Sequence, residues 1–168
     1  MRFTFTLLLS VAVSLLLTNG LLAEDYLTKE GKLAHSLKVV QSQGGFAGYT
    51  GTQYTISPDG SWTSETVFNQ KRTPKDKGKL SEKDLASLGA LLQKYALAKL
   101  PAESGKKPGA NPHTITFEFG KKTASLVGQV PPQLDPKDPT GTVESRFAAI
   151  LEGVERMLKP PVKEEEQK

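Results

Sequence analysis

The sequence predicts an α+β domain in which an antiparallel sheet of about five strands carries two helices on one face, in the order β-β-β-α-β-β-α. Two observations carry that prediction. Runs with period-two alternation come in neighbouring pairs joined by turn residues, which points to hairpins and not to βαβ units. Two longer segments repeat their apolar residues at helical spacing, each giving one stripe that can lie against the sheet.

Residues 36–41 alternate, with Leu37 and Val39 on one face. Gly44-Gly45-Phe46-Ala47-Gly48 interrupts them, and residues 52–57 alternate again, with Tyr54 and Ile56 facing one way. Pro58-Asp59-Gly60 is turn chemistry, because Pro fixes φ and Gly tolerates φ > 0. Residues 61–68 then resume as a strand rich in Thr, Val and aromatics. Residues 69–79 (NQKRTPKDKGK) read as a basic loop.

Ser81 is the expected N-cap of the first helix, with Asp84 at the reciprocal capping position and Leu80 and Leu85 forming a hydrophobic staple. Leu85, Leu88, Leu92 and Tyr95 follow at helical spacing, and Pro101 lies beyond the end. Residues 102–112 read as a second loop. His113 to Phe119 alternates strongly, Gly120-Lys121 turns the chain, and residues 122–127 form the last strand. The second helix begins at Thr140 or Thr142, presents Val143, Phe147, Ile150, Leu151, Val154 and Leu158, and is limited by Pro160. No long internal repeat is visible.

The ends differ in character from the domain, 34–159. Arg2, the apolar stretch from Phe3 to Leu17 and Leu21-Leu22-Ala23 before Glu24-Asp25 form the three-part layout of a secretory signal peptide cut after Ala23. An uncleaved anchor is the other reading, but that stretch is short for a span of about 20 residues. The expected location is therefore secreted or periplasmic, with no stable membrane insertion after cleavage. Residues 24–33 read as a polar leader, and 160–168, with Glu164-Glu165-Glu166, as a disordered acidic tail.

Composition excludes several chemistries. With no cysteine, thiolate metal sites, disulfides and cysteine nucleophiles are impossible. The charge balance, 22 Lys+Arg against 18 Asp+Glu, is too even and too scattered to predict nucleic-acid binding. No nucleophile elbow, H-E-x-x-H or Walker loop occurs. His35 and His113, the two histidines, read as surface or half-buried side chains, with a small hydrolase using His113 as a minor alternative. Asp135-Pro-Lys-Asp138 reads as a turn in preference to a calcium loop. Lys71, Arg72, Lys75, Lys77 and Lys79, with Lys106 and Lys107, read as solvated charge. No catalytic residue, metal ligand or cofactor is expected.

The unusual segment is residues 44–51, with four glycines in eight positions. Such a run costs backbone entropy, so a turn, a bulge or a close approach must require it. One reading makes the glycines structural and turns Phe46 into the core. The other has Gly44, Gly45, Phe46, Ala47, Gly48, Tyr49 and Thr50 present an exposed loop to a protein partner. If the run needs φ > 0 at Gly45, Gly45→Val should remove about 1 kcal/mol or more.

Ser42-Gln43-Gly44-Gly45-Phe46-Ala47-Gly48 after a short strand resembles the "SGGFAG" opening of emfourin-type proteins, inhibitors of thermolysin-like zinc metalloproteases. Ala98-Lys99-Leu100-Pro101-Ala102 is similar to that family's "LPA", and His113-Thr114-Ile115-Thr116-Phe117 to its "YTI" or "YTV" strand. Val130-Pro131-Pro132 precedes the last helix, as in the family. The resemblance spans roughly residues 37–158. It departs from the family at Gln41-Ser42-Gln43, in the long loops 69–79 and 103–112, and in an insertion over 133–141. It implies a non-enzymatic protein whose partner is a secreted metalloprotease, inhibited reversibly by occlusion of its cleft. The alternative is a secreted or envelope-associated binding module of the same fold without inhibitory activity.

Overall fold

A computed structural model describes residues 25–105, 110–129 and 131–159. The expected signal peptide with its cut at Ala23, the acidic tail, and Lys106 and Lys107 lie outside the described residues. Strands β1 (Leu37–Gly45), β2 (Gly48–Ile56), β3 (Ser61–Phe68) and β4 (Lys71–Lys79) run as a meander into helix α1 (Glu82–Lys94). A 3-10 turn (Leu97–Lys99), β5 (Glu103–Gly105), β6 (His113–Phe119), β7 (Lys122–Gly128) and helix α2 (Val143–Leu158) follow. The strands form one seven-stranded sheet in the order β4-β3-β2-β1-β6-β7-β5. Neighbours pair antiparallel except β5, which lies parallel to β7.

The α+β class is as expected, but the sheet has seven strands and not about five. The stretch 69–79, read as a loop, is largely β4. It escaped detection because it is an edge strand exposed at all nine residues, so neither face selects apolar side chains and no alternation develops. Its lysines, Pro74 and the register shift opposite Ser64/Glu65 are the usual devices that stop an edge from pairing with another chain. The other missed strand, β5, has three residues, too few to show a period.

The register explains where the core sits. Leu37 pairs with both Ile56 and Phe119, and Val39 pairs with Phe117, so these side chains share one face. Ile115, Ala124 and Leu126 extend it, and Leu85, Leu88 and Leu92 of α1 join Phe147, Ile150 and Val154 of α2 in the same buried cluster. Phe117 stacks on Phe147 with ring centroids 5.1 Å apart. Both expected helix starts are present. Ser81 and Asp84 form a complete capping box, and the Thr142 hydroxyl accepts from the Ser145 amide. Arg146 of α2 donates to the carbonyls of Tyr95 and Ala96 at 2.8 and 2.7 Å, tying α2 to the end of α1. The segment read as a polar leader contributes Tyr26 and Leu33 to the core, and the Ala98 amide donates to the Tyr26 hydroxyl.

The apolar face runs out along the first three strands. Beyond Val39 the same face of β1 carries Gln41 and Gln43, while β2 carries Thr52 and Thr50 and β3 carries Thr66 and Phe68. None of these residues is buried. The ends of β1, β2, β3 and β4 therefore extend past the core as a ribbon tipped by residues 46–47 and 69–70.

Candidate functional site

The glycine-rich segment does not interrupt the strands. β1 and β2 pair continuously as far as Gly45 opposite Gly48, so only Phe46 and Ala47 form the turn. Neither has positive φ, whereas Gly48, the first residue of β2, takes φ of 106°, a backbone conformation that glycine adopts without strain. The residue that needs freedom is thus Gly48 and not Gly45. Gly45 keeps an ordinary φ, and a Cβ there would have only Asn111 Oδ1 and the Gly48 carbonyl near it, both at 3.8 Å. Two other glycines permit close approach. A Cβ on Gly44 would lie 2.8 Å from the Pro112 ring, and one on Gly51 would meet the Gln41 carbonyl oxygen.

The tip is held from the side by a residue the sequence reading passed over. Asn69 sits in the left-handed region at φ 53° in the turn between β3 and β4. Its backbone amide donates to the Tyr49 carbonyl at 2.6 Å, and its side-chain oxygen accepts from the Tyr49 amide at 2.8 Å. Its side-chain amide also donates to the Ala47 carbonyl at 3.4 Å. A Cβ on Gly48 would collide with the Asn69 side chain, so the two positions require each other. The signal was available. An Asn between two strands is a common left-handed turn residue, but it could be used only once 71–79 was known to be a strand.

On the other flank the Gly44 amide donates to the Pro112 carbonyl at 2.8 Å. Pro112, Asn111, Ala110, Gly44, Gly45, Phe46 and Tyr49 line a shallow groove of about 300 Å³. Phe46 is fully exposed, which overturns the reading that placed it in the core. A two-residue turn leaves its side chain no neighbouring layer to enter. Ala47, Tyr49 and Thr50 are also exposed, Gly48 is half-buried and Gly44 is buried.

The other candidate residues do not converge. His35 packs edge-on against Phe119 at 5.3 Å, whereas His113 opens β6 six residues earlier, leaving about 20 Å of strand between them. The Asp135 carboxylate accepts from the Lys137 and Asp138 amides and so closes its own turn. Among the described residues no three His, Cys, Asp or Glu side chains group as a metal site would need. A small cleft of about 180 Å³ lies between the end of α2 and β2–β4. There burial, reinforced by the Glu155 carboxylate, pushes the Tyr54 hydroxyl above its ordinary pKa, so it stays a neutral phenol and is a weaker proton donor.

The region best formed for contact is the Phe46 tip, an aromatic side chain in solvent on a turn fixed by hydrogen bonds from two neighbouring segments. A search of protein-family models and of curated proteins finds no match to this chain.

Proposed function

We propose that this protein is exported, loses its signal peptide after Ala23, and acts without catalysis as a reversible inhibitor of a thermolysin-like zinc metalloprotease. The Phe46–Ala47 turn enters the enzyme's cleft and blocks it. One observation supports this reading above the others: Phe46 stands fully exposed at the end of a turn that Asn69 and Pro112 already hold in place. Large aromatic side chains at rigid positions are strong anchors, since little conformational freedom is lost when they are buried. The target class comes from the resemblance of Gly44-Gly45-Phe46-Ala47-Gly48 to the emfourin motif. Residues 44–50 contain no His, Asp, Glu or Cys, so the turn would block the cleft without a side chain that ligates zinc.

The test is inhibition of a thermolysin-type protease by the mature chain, repeated with Phe46→Ala. Inhibition is expected to weaken at least about tenfold in the variant, in keeping with the loss of a central anchor. No complex at micromolar concentration would sink the proposal for that enzyme. A complex that leaves the protease active would favour the non-inhibitory binding module.

A further inference from the structure

We propose that the strand-tip end of the sheet also docks reversibly on an anionic lipid surface. Among the described residues the exposed large apolar side chains are Phe46, Tyr49 and Phe68, and all three lie at this one end. They surround it. Phe46 forms the tip. Tyr49, 56% exposed, lies on the face of the sheet away from the helices, and Phe68, 47% exposed, lies on the opposite face. A lipid interface envelops an inserted end from every side, so aromatic residues on both faces and at the apex are all used at once.

Charge selects the kind of surface. Phe68 pairs with Lys71 and Val67 with Arg72, which places two cations directly behind the aromatic ring of residues. Residues 41–52, 66–73 and 110–115, which belong to this end, contain no Asp or Glu at all in a chain that has 18 of them. Lysine and arginine stems can lie along the apolar layer while their heads reach lipid phosphates. Among the described residues no helix is long and apolar enough to cross a membrane, and none is needed for this mode. The inference does not rest on the inhibitor reading. Both bury Phe46, so the two uses exclude each other at any moment.

Flotation of the mature chain with vesicles of phosphatidylglycerol and phosphatidylcholine, against phosphatidylcholine alone, tests the proposal at low salt. Binding is expected to the anionic vesicles only, and to fall as salt rises. Lys71→Gln with Arg72→Gln should weaken it about fivefold for each charge. Phe46→Ser should weaken it about tenfold. Lys77→Gln with Lys79→Gln, at the far end of the same strand, is expected to change it little. Absence of binding to the anionic vesicles overturns the proposal and leaves this end to a protein partner. So does binding that Phe46→Ser leaves intact, or that the Lys77/Lys79 pair weakens as much as the Lys71/Arg72 pair, because either result describes diffuse attraction of a basic protein.

Discussion

β2 has a turn at each end, and the two are used in opposite ways. At its C-terminal end, Pro58-Asp59-Gly60 is built into the fold. Gly60 is buried at φ 84°, its carbonyl accepts from Leu80, the Pro58 carbonyl accepts from Leu33, and Leu85 lies where a Gly60 Cβ would point. At its N-terminal end, the turn Phe46-Ala47-Gly48 and the flanking Gly44 hydrogen-bond sideways, to Asn69 and Pro112, and the aromatic side chain meets only solvent. Both turns cost conformational freedom to fix. Only the first recovers it through apolar burial. An ordered turn that exposes a phenyl ring gains nothing for the fold from that ring, and this makes the Phe46 end the region to question for function.

The sharpest way to break the contrast is to truncate each turn's apolar residue. Leu85→Ala, beneath the Gly60 turn, should cost about 3 kcal/mol, read as a lower denaturation midpoint. Phe46→Ala should stay within about 0.5 kcal/mol of the parent. A large loss at Phe46 would mean that the tip is packed after all.

A smaller effect separates the glycines within the exposed tip. Gly48→Ala should cost about 2 kcal/mol, because it places a Cβ at positive φ and against the Asn69 side chain. Gly45→Ala should be nearly neutral, within about 0.5 kcal/mol, since its φ is ordinary and the space beside it is open. Equal effects in thermal unfolding would contradict the assignment of the positive φ to Gly48.

The smallest expected effect is a difference in acid sensitivity. The Ser61 hydroxyl and amide, donating to the Asp59 carboxylate, hold its pKa below the ordinary value. A carboxylate depressed in the folded state contributes stability above its unfolded pKa and loses it as pH falls through the folded one. The Pro58–Gly60 turn should therefore loosen below about pH 4, whereas residues 44–48 carry no carboxylate to titrate. Amide exchange at Ser61 and at Tyr49, followed through that range, checks this. Loss of protection at Tyr49 alone would reverse the comparison.

Much of the domain could be read locally because its signals are local. The capping box at Ser81–Asp84, the strand from His113 to Phe119 and the apolar stripe of α2 each follow from a few neighbouring residues facing one core. β4 could not be read that way, since a strand exposed on both faces is under no pressure to alternate. The site was half visible. Four glycines within 44–51 announce an unusual backbone, yet they do not say which one bends and which ones merely leave room.

By itself the sequence determined the class, the hairpin at Asp59-Gly60, the start of α1 and the place where glycine had to matter. Only the tertiary structure decided that Gly48 carries the positive φ, that Gly44 makes way for Pro112, that Asn69 clamps the tip and that Phe46 faces water. The physical reason is separation along the chain. Gly44 meets Pro112, and Asn69 meets Ala47, Gly48 and Tyr49, from 20 or more residues away, and no local pattern of residues encodes what will lie across that gap.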